Sequence, residues 1–406
     1  MNKLVIIGTV FPEPESTAAG KRMMQLIAAF REEEFSVTFL SSASDSEYSE
    51  NLSEFGINCF QIEINNTSFD LLIEKLAPDI VLFDRYITEE QFGWRISEIC
   101  PNAVKILDTE DLHFLRFARR KAFHENRKET ESDLINDIFK REIASVYRCD
   151  LSLIISAFEY RLLAENFRIP AEILFYLPFL TGKIDKNVPG FAERLNFASI
   201  GNFLHEPNWQ TVLKLREIWP EIRRKLPGAE VHIYGAYPSD KVFRLHDEKA
   251  GFLIKGRADS SEKIFKNYRV LLAPIPFGAG LKGKLWESML YGCPNVTTTA
   301  GAEGMFVQQQ WSGFIDDDPE KFAESSAELY HNSEIWEKSQ QTGFAILNQN
   351  FNRNDFLAVL FSAIQKISNN LAQHRNRNFM GQILQHHQLN AVKYLSRWIE
   401  AKNRKD

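Results

Sequence analysis

The chain has 406 residues, a formal net charge of −6, 44% hydrophobic and 25% charged residues. That length suits two domains of about 180 residues each, and no apolar run reaches the ~18 residues that a membrane span needs. The acidic balance argues against non-specific nucleic-acid binding. Four scattered cysteines (Cys59, Cys100, Cys149, Cys293) form no CxxC pair, so they read as reduced thiols of a cytoplasmic protein rather than a disulfide or zinc framework.

The N-terminal run is too short in its apolar part for a secretory signal and reads as a first strand, Leu4 to Gly8. Further apolar runs follow at Ser36 to Leu40, Cys59 to Ile62, Ile80 to Phe83, Val104 to Leu107, Leu151 to Ile155 and Glu172 to Tyr176. Amphipathic stretches separate them, among them Gly20 to Glu33, Ser68 to Leu76 and Glu89 to Ile99, and a longer helical excursion covers Leu112 to Tyr147. Strand–helix alternation predicts a doubly wound parallel sheet, an α/β fold. Leu177 to Pro189 reads as a linker, after which the rhythm restarts. Strands are expected at Phe197 to Ile200, Glu230 to Tyr234, Gly251 to Ile254, Val270 to Ala273 and Asn295 to Thr298, with helices between them and a last one at Glu320 to Tyr330. Two such domains facing each other place a ligand crevice between them.

The densest chemistry lies in residues 270–304. A buried strand runs into Gly278-Ala279-Gly280-Leu281, and a helix opens there with Lys282 and Lys284 in its first turns. Glu287 follows, then Gly292, Pro294, a second strand and a second glycine turn, Gly301-Ala302-Glu303-Gly304. Backbone N–H groups at a helix start, with lysine ammonium groups, suit an anion such as a diphosphate. A carboxylate further along the helix suits a ribose diol. Together they point to a nucleotide-diphosphate sugar at the C-terminal edge of a parallel sheet. A tight turn opening a solvated helix is the alternative for the glycine loop alone.

These residues, from Gly278 to Met289 and on through Gly292-Cys293-Pro294 and Gly301 to Gly304, resemble the donor-site signature of the retaining glycosyltransferases of family 4. The resemblance implies a GT-B architecture: two Rossmann-like domains with an interdomain cleft, expected at 1–180 and 190–365, and a tail, 366–406, packing back on the first. It also implies a hexosyltransferase that needs no metal and no cofactor beyond its donor, of UDP, GDP or dTDP type. The acceptor would be a glycan, lipid-linked or protein hydroxyl, with a role in surface polysaccharide or glycoconjugate synthesis. By position, Glu287 matches the second glutamate of the family's E-x7-E motif, which holds the ribose; the first falls at Ala279 and is missing. Backbone N–H groups of the glycine loop are then expected to meet the sugar hydroxyls. The turn after the first strand of the second domain, Gly201-Asn202-Phe203-Leu204-His205, lacks the family's Arg and Lys. Lys282 and Lys284 are the natural replacements for neutralising the diphosphate. Lys284 is the first choice, because Lys282 reaches a phosphate only if Gly280 to Gly283 is still loop. In the first domain, Gly20 opens the helix that approaches the donor across the cleft, with Ala19 where the family usually has a second glycine. Gly235, Gly256 and Arg257 close the donor-binding set near the base.

Asp108-Thr109-Glu110-Asp111-Leu112-His113 ends a predicted strand, where crevice residues gather. His113 or Asp111 binds acceptor or sugar there, or Asp108 or Thr109 merely caps the next helix. Arg116, Arg119, Arg120, Lys121, Arg127 and Lys128 form either an anion-attracting face or, more often, a solvated one. Asp316-Asp317-Asp318, before Pro319, is read as a helix start and not a metal site. His386-His387 have no ligand spacing. In residues 371–406, seven Lys/Arg stand against two Asp/Glu. The apolar residues from Phe379 to Ile399 there have helical spacing, which suits a helix crossing back onto the first domain or a basic amphipathic helix lying on a membrane face. Rival readings are a nucleotide-sugar epimerase, a sugar phosphorylase, and a GT-B protein kept for binding or assembly.

Overall fold

The computed structural model describes residues 2–305, 311–386, 394–395, 398–399 and 402. The apolar runs of the first half become seven strands: β1 (Lys3–Gly8), β2 (Ser36–Ser41), β3 (Asn58–Gln61), β4 (Ile80–Asp84), β5 (Val104–Asp108), β6 (Leu151–Ile154) and β7 (Leu174–Tyr176). They form one parallel sheet in the order β3-β2-β1-β4-β5-β6-β7. Six more, β8 (Leu195–Ile200), β9 (Val231–Tyr234), β10 (Phe252–Gly256), β11 (Tyr268–Ala273), β12 (Asn295–Thr297) and β13 (Gly313–Ile315), form a second sheet in the order β10-β9-β8-β11-β12-β13. The expected plan of two Rossmann-like parallel-sheet domains is therefore the observed one.

Helices on both faces explain why the central strands read as unbroken apolar runs. Side chains alternate between two cores with period 2. Leu4 and Ile6 enter the core on one face of the first sheet, and Val5 and Ile7 that on the other. Leu271 and Ala273 face one core of the second sheet, Val270 and Leu272 its opposite.

β13 follows the last predicted strand, and beyond the helix predicted at Glu320 to Tyr330 lie two long helices, Ser333–Asn350 and Arg353–Asn369. The second crosses back: Leu360, Ile364 and Ile367 complete a core of the first sheet. The chain passes between domains twice, at Thr181 and at Asn352, and the two passages run side by side. Thr181 N donates to Phe351 O at 2.7 Å, and Arg353 N donates to Thr181 O at 3.0 Å.

The tail breaks at Asn378, which ends Leu371–Arg377 and whose side chain caps Phe379–Gln385. The expected helix through Ile399 is described only in part, since 387–393, 396–397, 400–401 and 403–406, with His387, lie outside the described residues. Among the described residues no helix is long and apolar enough to cross a membrane, and no group of three metal-ligating side chains occurs. Asp318 does cap a helix, accepting from Glu320 N and Lys321 N at 3.1 and 3.0 Å.

One buried ion pair ties the first sheet to the linker. Arg22 Nη2 lies 2.7 Å from Asp108 Oδ1, both side chains are at most 1% exposed, and Arg22 Nη1 donates to Leu177 O at 2.8 Å. Removing one partner strands the other charge in a low-dielectric core. Arg22→Ala is therefore expected to destabilise the chain by about 3–5 kcal/mol, read as a lower urea midpoint. A loss under about 1 kcal/mol would show that the pair does not anchor the linker.

Candidate active site

In each sheet the strand order reverses once, between β1 and β4 in the first and between β8 and β11 in the second. The loops leaving those strands part at the reversal and open a crevice at the strand C-termini. The two crevices face each other and enclose a cavity of about 480 Å³ lined from both domains.

The loop after β11 forms one wall. Gly280 has φ +62°, and a Cβ there would come within 2.7 Å of Asp111 Cβ in the other domain. A Cβ at Gly283 would stand 2.7 Å from Ala18 Cβ. Glycine is required at both positions by the close approach of the domains. The helix runs Gly283–Leu290, so Lys282 is its N-cap, with extended backbone (φ −93°, ψ 96°). Lys282 thus stands on loop and not in the first helical turn. Its ammonium donates to Gly280 O at 2.8 Å and Ala279 O at 3.3 Å. Lys284 donates to Asn208 Oδ1 at 2.8 Å. Burial lowers the Lys284 pKa to about 7, against the opposing pull of Glu287.

Glu287 is 9% exposed. It accepts from Ser261 Oγ and, across the cleft, from Lys21 Nζ in close contact. Lys21 sits in the helix Ala18–Glu32, capped by Thr17, whose Oγ1 accepts from Gly20 N at 2.9 Å. A Cβ at Gly20 would lie 2.5 Å from the Glu13 backbone, so Gly20 lets the preceding turn fold onto the helix start.

The N–H of Gly280 does not point at the cavity. It donates to Glu159 Oε1 at 2.7 Å, as does Leu112 N at 3.1 Å. Glu159 Oε2 has no hydrogen-bond partner, and burial raises the pKa of this carboxyl to about 7. Arg119 makes a second cross-domain clasp, donating to Gly278 O at 2.8 Å and to both oxygens of Glu303 at 2.6 and 2.8 Å. The rest of the basic run is largely paired as well. Arg116 holds Asp111, Arg120 lies 3.0 Å from Glu206, and Arg127 and Lys121 meet Asp133.

Asp111 and His113 both line the cavity. Burial would raise the Asp111 pKa, but the charges of Arg116 and His113 hold it below the usual carboxylate range. His113 Nε2 lies 3.4 Å from Asp111 Oδ1 and makes no hydrogen bond. Burial lowers its pKa to about 4, so the imidazole is neutral at pH 7. Neither Asp108 nor Thr109 caps the helix His113–His124. Asp108 is engaged by Arg22 and Thr109 Oγ1 by Leu153 O, while His113 N and Phe114 N donate to Glu142 at 3.1 and 3.0 Å. A carboxylate from a neighbouring helix complements the helix N-terminus in their place.

On the second-domain side, Gly201, Asn202, His205 and Gly235 line the cavity. A Cβ at Gly235 would fall 2.2 Å from Gly201 O, which keeps the two turns in contact. His205 is exposed, at the N-cap of Glu206–Lys225. Arg257 spans the rim, 3.4 Å from Ser16 Oγ and stacked on the Tyr48 ring at 4.2 Å. Gly20, Gly256, Gly280 and Glu303 lie behind the cavity wall, and the other sequence candidates line it. Lys21 is read from the sequence only as a fallback for neutralising the diphosphate, and Arg119, Glu159 and Ser261 were not singled out by sequence as donor-site residues.

Residues 194–332 match the family model described as glycosyl transferases group 1. No curated protein sequence matches the chain. Among solved structures, a mutant of S. aureus TarM in complex with fondaparinux, alpha-GlcNAc-glycerol and UDP superposes with a TM-score of 0.69 at 11% identity, over 89% of this chain and 99% of that one. Anabaena Alr3699/HepE in complex with UDP and glucose gives 0.68 at 12% identity, over 90% and 100%. Sucrose-phosphate synthase from Thermosynechococcus elongatus gives 0.67 at 11% identity, over 90% and 99%. The fold is the GT-B fold.

Proposed function

We propose that this chain is a glycosyltransferase that moves a sugar from a nucleotide-diphosphate sugar to an acceptor hydroxyl, with retention and without a metal. The observation that carries the reading is the convergence, in one interdomain cavity, of Lys282, Lys284, a helix N-terminus and the Ser261–Glu287–Lys21 cluster. The family match over residues 194–332 and the UDP complexes of proteins with this fold support it. Glu287 takes the ribose diol, displacing Lys21, which then turns to the diphosphate. Lys284 exchanges the Asn208 oxygen for a phosphate oxygen. As the bond from the sugar C1 to the diphosphate breaks, the diphosphate oxygen keeps the electron pair, and the acceptor oxygen bonds C1 and passes its proton to the departing diphosphate. Lysines and helix N–H groups stabilise that growing charge. The closed cleft limits access of water and so hydrolysis of the donor. The site acts in the cytoplasm on a glycan, lipid-linked or protein acceptor.

The test is turnover of UDP-, GDP- and dTDP-sugars with EDTA present. Release of nucleoside diphosphate that depends on an acceptor is expected. Conversion of the sugar without acceptor would indicate an epimerase, pyridoxal absorbance a phosphorylase, and no turnover a binding or assembly role. Loss of activity in EDTA restored by magnesium or manganese would refute the metal-free mechanism.

Lys284 makes a pH prediction. Its pKa of about 7 leaves it mostly neutral at pH 8.5, whereas a diphosphate diester beside it favours the ammonium form. Binding should therefore take up a proton above pH 7, and affinity should rise as pH falls from about 8.5 to 7, then level off. Calorimetry in two buffers of different ionisation heat measures the uptake. Equal uptake in wild type and Lys284→Met would remove Lys284 from the phosphate site.

A further inference from the structure

Where β4 and β5 finish, four acidic side chains stand together, and two of them, Glu110 and Asp111, line the cavity. Three have a guanidinium each: Asp84 lies 3.6 Å from Arg85, Asp108 2.7 Å from Arg22, and Asp111 2.6 Å from Arg116. The fourth, Glu110, lines the cavity and makes neither hydrogen bond nor ion pair with its side chain among the described residues. Its backbone is left-handed, with φ +62°, and so is that of Arg85 at the end of the adjacent strand, with φ +69°. Side chains with a Cβ rarely adopt this region, and it recurs where a site dictates conformation. The Glu110 carbonyl abuts the donor loop, 3.3 Å from where a Cβ on Gly280 would stand. An unpaired carboxyl is thus held, in a costly backbone conformation, against the loop that the preceding reading assigns to the donor.

We propose that Glu110 is a sugar-binding residue: its carboxyl takes a hydroxyl of the transferred sugar, and the subsite admits an uncharged sugar rather than a carboxylated one. This rests on the cleft being a sugar-nucleotide site. The three arginines beside it already serve carboxylates, so none of them is left to neutralise a uronic acid. Burial, with Asp108 nearby, pushes the Glu110 pKa well above the usual range. The group can therefore donate as well as accept a hydrogen bond to a hydroxyl.

Glu110→Gly and Glu110→Ala separate this role from a structural one. Both remove the carboxyl, but only glycine relieves the left-handed backbone, so Glu110→Gly should melt about 2–4 °C above Glu110→Ala. The probes are UDP-glucose, UDP-N-acetylglucosamine, UDP-glucuronic acid, GDP-mannose and dTDP-glucose, each compared with its free nucleoside diphosphate. The sugar nucleotide that stabilises the wild type most should lose affinity about 10-fold or more in both variants. Affinity for the free diphosphate should change less than about 2-fold, because only the sugar reaches Glu110. Parallel changes in both ligands, or in neither, would overturn the role of Glu110 and leave the cleft reading intact. Tightest binding of UDP-glucuronic acid would overturn the charge argument. Binding of none of the probes to the wild type would overturn the cleft reading itself, and this inference with it.

Discussion

The contact between the two domains across the cleft is what the rest of the site depends on. Gly280 meets Asp111, Gly283 meets Ala18, and a Cβ on Gly304 would come within 2.4 Å of Ser156 Oγ. Interiors are close-packed, so these positions cannot gain a methyl group without pushing the domains apart. Closure at these points also makes the polar network possible. Lys21 reaches Glu287, Arg119 reaches Glu303, and Glu159 reaches Gly280 only because the two walls stand at van der Waals distance. A shift of a few ångströms would return every one of these charges to water, where such pairs contribute little.

The partners of the cleft lysines suit a binding site. Lys282 rests on two carbonyls, and Lys284 on an amide oxygen. Neutral acceptors hold an ammonium less strongly than an anion does, so a diphosphate competes favourably for both. Lys21 differs, since its partner is the Glu287 carboxylate, and releasing it requires a group that satisfies Glu287 in turn. A ribose diol is such a group. Nucleotide recognition and charge delivery are then coupled through one ion pair that spans the domains.

Much of the fold was legible because its strands are buried on both faces. Leu4 to Gly8 and Val270 to Ala273 are apolar without interruption, and turn residues bound them. β13 escaped because it is only three half-buried residues long and the first of them is a glycine. The glycine–lysine loop could be read because its spacing is local. The groups that complete it could not. Glu159 and Gly280 are 121 residues apart, and Arg119 and Glu303 are 184 apart. The cap of His113–His124 misled for the same reason: Asp108 and Thr109 are the local candidates, but strand pairing and Arg22 engage them first, and Glu142 arrives from another helix. The expected role of the Gly280 N–H as a ligand donor met a buried carboxylate instead.

Hydrogen–deuterium exchange with and without UDP tests the central claim most directly, because it reads where a nucleoside diphosphate touches the backbone. The account predicts slower exchange in residues 278–287, 201–208 and 257–261, and in residues 17–22 of the facing helix, with the outer edges of both sheets unchanged. Protection confined to one domain, or centred away from Glu287, would contradict a nucleotide site closed between the two.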